Sequence, residues 1–249
     1  MLKAIVTRAI EAGGYKLVRD DAGVYTADGL RSVHNHDFVL DPGFVRAYAR
    51  GIAAAGEDYD WQWRVHIGLW AAASAARLEG DFVECGVNRG FLSSAIMEFL
   101  HWDTLGKTFW LLDTFAGVDT TILTEEEREL VERRTQRGGT SYVDSAETAR
   151  QNFAEWNNVR IIVGSVPSTL DQIEANTIAY LHLDMNSSTP EVAALEALWP
   201  RLTRGAVVLF DDWGYSGFEA QHEAMSAFAC DHGLPIGSLP TGQGLLLKP

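Results

Sequence analysis

The sequence has few cysteines and no long apolar run. Its two cysteines, Cys85 and Cys230, are too few for a disulfide framework or a cysteine-ligated zinc cluster. No segment approaches the ~18 consecutive apolar residues that a membrane helix needs. Residues 1–8 also lack the long apolar core of a secretion signal. These absences predict a cytoplasmic protein that has no membrane partner.

Positive charge is scarce as well. The chain carries 34 aspartates and glutamates against 20 lysines and arginines, which gives a net charge of −14. Proteins that bind nucleic acids use clustered lysines and arginines to displace counterions from the phosphates, and no basic stripe is visible here. We therefore expect no nucleic acid partner and a small molecule as the substrate.

Apolar runs rich in β-branched and aromatic residues alternate with helical stretches after residue 80. Near-continuous apolar strands separated by helices indicate a mostly parallel sheet with helices on both faces. The predicted strands are Asp81–Cys85, Thr108–Leu112, Val159–Val163, Ile178–Leu183, Ala206–Phe210, Ile236–Leu239 and Leu245–Leu247. The predicted helices are Phe91–Leu100, Ala146–Trp156, Pro190–Leu198 (with Thr189 as its cap) and Phe218–Cys230. The predicted fold class is thus α/β, a Rossmann-like domain with a seven-stranded sheet.

The first 79 residues are predicted to form an N-terminal extension that packs on or caps a core spanning residues 80–249. The polar segment Leu17–Pro42 is expected to be irregular. Helices are expected at Phe44–Ala55 and at Trp61–Leu78, the latter buried because it is apolar on most faces. The aromatic residues of this region suit either a buried core or a homo-oligomer interface, so the oligomeric state stays open.

A long connection separates the second predicted strand of the core from the helix at Ala146. Thr124 and Glu127 have the spacing of a capping box that opens a charged helix through Arg134. The stretch Arg137–Thr140 contains two glycines and should break that helix. Such an insertion is expected to be either a wall of the substrate site or a solvated surface helix.

A strand, a glycine turn and a helix start follow one another around Gly86. Gly86 permits a sharp turn and Gly90 a close helix–strand approach, and ligands of open α/β sheets bind just outside such turns. The spacing differs from the G-x-G-x-x-G of dinucleotide folds. Glu84 would attract the ammonium group of an amino acid and repel a pyrophosphate. The turn, with Asn88 and Arg89, therefore predicts a site for S-adenosylmethionine in preference to NAD.

Two further strand ends supply the rest of the predicted cofactor site. Asp113 ends the second core strand, where an acid can accept hydrogen bonds from both ribose hydroxyls. Thr114 and Phe115 follow it in the same turn. Gly164 and Ser165 follow the third strand, where a small residue suits the adenine ring. A turn or helix-cap aspartate is the alternative interpretation of Asp113.

Acidic residues end the fourth and fifth core strands. Because parallel strands end at one edge of the sheet, Asp184, Asp211 and Asp212 should converge. Carboxylates are ligands that suit Mg²⁺, and such an ion can hold two adjacent hydroxyls and favour deprotonation of one. Alternatively, Asp184 contacts the cofactor while Asp211 and Asp212 cap turns. Asp184 and His182 are the candidate catalytic bases, although the sequence favours a structural role for the histidine at position 182.

In these motifs the chain resembles the macrocin-type (TylF-like) O-methyltransferases. The resemblance runs from about Trp63 to the C-terminus, with the motifs in the same order. The motifs that carry it are Gly80–Val87 followed by Arg89-Gly90, Leu112–Gly117, the region of Tyr142, Gly164–Pro167 and Asp211–Gly214.

The resemblance implies a class I S-adenosylmethionine-dependent O-methyltransferase that uses Mg²⁺ and methylates a sugar hydroxyl of a glycosylated natural product or a polysaccharide precursor. It places Glu84, Gly86 and Asp113 at the cofactor and the three aspartates at the metal. The family usually reads Leu-Asp-x-Asp-x-Tyr at the fourth core strand. Here Asn186 replaces the second acid and Ser188 the aromatic residue. If that acid serves the family as base or ligand, this chain must use Asp184 or His182 instead, or tolerate a weaker site.

Three rival functions follow from the same residues. A catechol-type O-methyltransferase uses a similar three-acid site on this fold. A nucleotide-binding protein that has lost its chemistry would be consistent with Asn186. An NAD-dependent dehydrogenase is disfavoured because Glu84 is badly placed for a pyrophosphate.

Overall fold

The computed structural model describes residues 12–14, 23–136, 142 and 145–249. The chain divides into two units, Met1–His36 and Asp37–Pro249. The predicted boundary at residue 79 stays a prediction. In the first unit, strands β1 (Tyr25–Ala27) and β2 (Leu30–Ser32) form an antiparallel hairpin. Asp28 and Gly29 connect them with positive φ angles of 49° and 71°, as Asp-Gly does in a type I′ turn. The expectation of irregular structure was therefore wrong here.

The second unit contains a seven-stranded sheet in the order β5-β4-β3-β6-β7-β9-β8. The first five strands in this order are parallel, and β9 runs antiparallel to both β7 and β8. The strands are β3 (Asp81–Cys85), β4 (Phe109–Asp113), β5 (Val159–Val163), β6 (Ile178–Leu183), β7 (Leu202–Phe210), β8 (Gly237–Ser238) and β9 (Gly244–Leu247). The prediction of a mostly parallel Rossmann-like sheet is confirmed.

Helices cover both faces of this sheet. They are α1 (Pro42–Ala55), α2 (Gln62–Ala75), α3 (Phe91–Leu100), α4 (Glu125–Gln136), α5 (Ala146–Phe153), α6 (Ser188–Leu198) and α7 (Glu219–Asp231). Each corresponds to a predicted helix. None of the helices among the described residues has the length and apolarity needed to cross a bilayer.

The start of α6 differs from the prediction that Pro190 is its first residue. The helix begins at Ser188, because the carboxylate of Glu127 accepts a hydrogen bond from the Ser188 amide at 2.6 Å. Pro190 still lies in the first helical turn, where backbone N–H groups have no intrahelical acceptor, so a proline costs no hydrogen bond there.

The core consists of two apolar clusters, one on each face of the sheet. Because side chains alternate along a strand, Phe82 packs in the cluster under α1, α2 and α3, and Val83 packs in the opposite cluster under α6 and α7. Glu84 and His182 share the strand face of Phe82 and pair directly across β3 and β6. Two ionisable side chains therefore lie within an otherwise apolar layer.

Candidate active site

A cleft of about 280 Å³ lies where the parallel strands end. The turns after β3 to β7 all contribute to it, as expected for an open α/β sheet. The predicted site residues that line it are Gly86, Asn88, Asp113, Thr114, Gly164, Ser165, Asp184, Asp211 and Asp212.

A smaller cavity of about 70 Å³ shares several walls with this cleft. It is lined by three further predicted residues, Glu84, Arg89 and His182. Gly90 and Phe115 line neither of the two cavities. Gly90 instead lies against Phe153, and Phe115 is buried in the core.

Gly86 brings the turn after β3 close to the turn after β6. Its φ is +92°, and a Cβ atom at this position would lie 2.0 Å from the carbonyl oxygen of Asp184. No side chain fits at that distance. Gly86 therefore lets the backbone of the predicted cofactor turn approach the backbone that carries Asp184.

Asp113 ties the turn after β3 to the end of β4. Its Oδ2 accepts hydrogen bonds from the amides of Val87 and Asn88, each at 2.7 Å, and its Oδ1 accepts one from Phe115 at 2.7 Å. Both carboxylate oxygens thus already bind backbone amides. This geometry makes Asp113 a support for the walls of the cleft, in addition to its predicted contact with the ribose.

The carboxylates of Asp184, Asp211 and Asp212 converge as the strand ends predict. One oxygen from each lies within 4.8 Å of the others. Burial raises the pKa of Asp184, and the charges of Asp211 and Asp212 raise it further. A group of three acids held this closely needs positive charge nearby.

Arg64 provides one such charge. Its guanidinium pairs with Asp211 Oδ2, and its Nη1 lies 3.7 Å from Asp212 Oδ1. Gln243 donates a hydrogen bond to Asp211 Oδ1 at 3.0 Å. Burial alone would raise the pKa of Asp211, but Arg64 and His182 outweigh it and hold that pKa below its ordinary range. Asp211 is therefore a stable carboxylate.

His182 lies between two carboxylates. Its Nδ1 is 2.8 Å from Glu84 Oε1, and its Nε2 is 3.6 Å from Asp211 Oδ1, which is an ion-pair distance. Burial lowers the pKa of His182, but the two carboxylates outweigh it and raise the pKa to about 10. The ring is therefore a buried cation at neutral pH, and this environment favours the structural interpretation of His182 over that of a base.

The loop between β6 and α6 is held by side chains from several elements. Asn186 has a φ of +56° and donates a hydrogen bond to Asp184 Oδ1 at 3.3 Å. Glu191 accepts one from the Met185 amide and another from Gln221, both at 2.9 Å. Burial raises the pKa of Glu191 to about 8, and the charge of Asp212 adds to the shift.

The insertion forms part of the cleft. The capping box is confirmed, because the Thr124 amide donates to Glu127 Oε2 at 2.9 Å and the Glu127 amide to Thr124 Oγ1 at 3.3 Å. Val118 and Ile122 before α4 and Tyr142 after it line the cleft. The interpretation as a wall of the site is thereby favoured. The predicted break at residues 137–140 lies outside the described residues.

Sequence reasoning missed Arg64, Gln243, Glu191 and the second role of Glu127. Arg64 carries a usable signal, because a charged residue in an apolar, alanine-rich helix must find a partner when it is buried. Glu191 looks like an ordinary acid in a first helical turn. Nothing local distinguishes Gln243 from a surface glutamine.

The fold is that of class I Rossmann-like methyltransferases. The structure of the O-methyltransferase NovP superposes with a TM-score of 0.64 at 20% identity, over 80% of this chain and 88% of that chain. An O-methyltransferase from Bacillus cereus in complex with SAH superposes with a TM-score of 0.53 at 13% identity, over all of both chains.

Sequence comparison identifies the family. The model of the family described as macrocin-O-methyltransferase (TylF) matches residues 69–237, so the chain belongs to this family of O-methyltransferases.

Two curated relatives are O-methyltransferases by name, and one of the names describes a rhamnosyl-bearing compound. The 8-demethyl-8-(2,3-dimethoxy-alpha-L-rhamnosyl)-tetracenomycin-C 4'-O-methyltransferase of Streptomyces olivaceus is 31% identical over 54% of this chain and 53% of its own length. The mycinamicin III 3''-O-methyltransferase of Micromonospora griseorubida is 25% identical over 76% of this chain and 79% of its own length. The match thus spans about half of the first relative.

Proposed function

We propose that this protein transfers the methyl group of S-adenosylmethionine to a sugar hydroxyl of a glycosylated natural product, with Mg²⁺ held by Asp184, Asp211 and Asp212. The observation that carries the proposal is that these three carboxylates converge in the same cleft as the glycine turn. The name of the Streptomyces olivaceus relative supports the acceptor class, because it describes methylation of a rhamnosyl-bearing compound.

The residues around the glycine turn fit S-adenosylmethionine. Glu84 Oε2 is buried and has no hydrogen-bond partner among the described residues, and Glu84 lines the smaller cavity together with Asn88 and Arg89. An ammonium group there would satisfy the orphaned oxygen, whose isolation is otherwise costly. The ribose would lie at Asp113 and the adenine at Gly164 and Ser165. The bound cofactor supplies an electrophilic methyl group on its sulfonium.

The acidic cluster fits a divalent ion by its donor set. Three carboxylate oxygens and the side chain of Asn186 are hard ligands of the kind that Mg²⁺ takes, with water in the remaining positions. Mg²⁺ there would supply positive charge that makes an acceptor hydroxyl easier to deprotonate.

The chain's own residues mainly position the reactants. Gly86 and Asp113 fix the turn beside the cofactor site, and Asp184 lies where that turn meets the acidic cluster. Placing a hydroxyl in line with a methyl group contributes much of the rate acceleration in such transfers. Asp184 is our candidate for the base because it lines the cleft, whereas both ring nitrogens of His182 face carboxylates in the interior.

The test combines cofactor binding with turnover. S-adenosylhomocysteine should bind saturably in calorimetry while NAD does not. Methyl transfer should occur with glycosylated acceptors in a panel that also contains catechols. EDTA and the substitution Asp212→Asn should both depress it, whereas Asp171→Asn, at an exposed site outside the cleft, should not. Turnover of catechols alone would refute the acceptor class, and full activity of Asp212→Asn in EDTA would refute the metal.

A further inference from the structure

The acidic cluster already contains a fixed cation. Arg64 projects from α2, and its side chain is 5% exposed. Its Nη1 donates to the Asp211 carbonyl oxygen at 3.0 Å as well as to the Asp211 carboxylate, and its Nη2 donates to the Thr241 carbonyl oxygen at 3.1 Å. A guanidinium keeps its charge at any ordinary pH. One unit of positive charge is therefore built into the site.

Further contacts hold the guanidinium in place. The rings of Trp61 and Tyr215 lie 5.4 Å and 5.3 Å from its central carbon, within the range of cation–π attraction. It also donates hydrogen bonds to the backbone carbonyl oxygens of Asp211 and Thr241, which belong to two different segments of the chain. Arg64 thus acts as a rigid element, unlike a surface side chain that can move aside at little cost.

We propose that Arg64 competes with the divalent ion for the carboxylates of Asp211 and Asp212 and so lowers the affinity of the site for metal. Asp211 Oδ2 pairs with Arg64, and the same Nη1 faces Asp212 Oδ1. An ion bound to these oxygens would lie within a few ångströms of a fixed positive charge. The inference rests on the metal part of the proposed function.

The experiment measures Mn²⁺ binding directly, by the loss of the free-ion signal in electron paramagnetic resonance. It uses the full chain and compares wild type with Arg64→Gln, Arg64→Lys and the control Arg50→Gln. Arg50 pairs with Glu155 outside the cleft, so that control removes the same charge elsewhere. Thermal unfolding and S-adenosylhomocysteine binding of every variant establish that the fold and the cofactor site are intact.

The expected result is that Arg64→Gln binds Mn²⁺ about tenfold or more tightly than wild type, because repulsion between close charges in a partly buried site is strong. Arg64→Lys, which keeps the charge, and Arg50→Gln should stay within about twofold of wild type, because the repulsion is retained or lies far away. Equal or weaker binding by Arg64→Gln would overturn the proposal, since it would make Arg64 neutral or helpful toward the metal.

Two further outcomes are distinguishable. Absence of Mn²⁺ binding in both wild type and Arg64→Gln would overturn the proposal together with the metal site, while S-adenosylhomocysteine binding in the same samples would leave the cofactor assignment intact. If Arg64→Gln does not fold, the proposal is tested on the wild-type protein by nuclear magnetic resonance. The guanidinium resonance of Arg64 is assigned by its absence from the spectrum of Arg64→Lys. Titration with Mg²⁺ should then shift this resonance. An unmoved resonance at saturating Mg²⁺ would overturn the proposal.

Discussion

Glu127 links the insertion to the loop that carries Asp184, and its removal should weaken both. Its carboxylate accepts hydrogen bonds from the Ser188 amide at 2.6 Å and the Thr124 amide at 2.9 Å, and Ser187 Oγ lies at 3.4 Å. It therefore caps α4 and α6 at once. Burial would raise the pKa of Glu127, but the hydrogen bonds from Ser188 and Thr124 outweigh it and lower the pKa.

The substitution Glu127→Gln keeps one acceptor oxygen and removes the charge. Hydrogen bonds to charged groups contribute ~1.5–3 kcal/mol, and a negative charge at a helix N-terminus ~0.3–1 kcal/mol. We therefore expect a loss of ~1–2 kcal/mol in the free energy of unfolding. For a chain of this size that lowers Tm by ~2–8 °C.

The assay is thermal unfolding of Glu127→Gln beside Glu126→Gln, which removes an exposed charge from the same helix. Because the pKa of Glu127 is lowered on folding, its stabilisation is present above the unfolded-state value of 4.5 and is lost as pH falls through the folded-state value. The difference between wild type and Glu127→Gln should therefore be largest near pH 7 and shrink on acidification. A Tm equal to that of Glu126→Gln at pH 7 would refute the reasoning, as would unchanged hydrogen exchange at Ser188.

Three further predictions concern the cleft. Gly86→Ala should lose S-adenosylhomocysteine binding in calorimetry and ~3 kcal/mol or more of stability. Gly106→Ala, also at positive φ but with open space around it, should lose only ~1–2 kcal/mol. Asp113→Asn should weaken S-adenosylhomocysteine binding about tenfold, because the NH₂ group of the new side chain would face backbone N–H donors. The substitution Asp103→Asn, at an exposed site, should leave this binding unchanged. Glu191→Gln should have a higher Tm than wild type, and the difference should widen from pH 5 to about pH 8. The reason is that the pKa of Glu191 is raised to about 8 on folding, so wild type loses stability as pH rises through that range. A difference in Tm that is the same at every pH would contradict this prediction.

The central strands of the sheet were predictable because a strand that is buried on both faces consists mostly of apolar residues. The bounds of β3 and β6 match the predicted runs, since a strand covered by helices reads as a continuous apolar segment. The bounds of β5 also match, although it is an edge strand and only partly buried. The β1–β2 hairpin at Asp28 was not predicted, because three-residue strands are too short to show a hydrophobic periodicity. Its one local signal was the Asp-Gly pair.

The site was predictable where topology alone brings residues together. Asp184 and Asp211 end neighbouring parallel strands, so their convergence follows from the strand order. The residues that neutralise or orient them come from far along the chain: Arg64 is 147 residues from Asp211, and Glu127 is 61 from Ser188. No local pattern specifies such pairs, because they depend on how α2 and the insertion pack against the sheet.

The charge of the cluster offers a physical reason for Asn186. Three carboxylates and Arg64 leave two negative charges, since the His182 cation is balanced by Glu84, and one divalent ion would neutralise them. An acid at position 186 would add a third negative charge beside Asp184, whereas the Asn186 amide donates a hydrogen bond to it. In this chain a donor therefore stabilises Asp184 at the position where the family resemblance predicts a second acid. Under the proposed function, deprotonation of the acceptor would depend on Asp184, on the metal and on the positioning that both would provide.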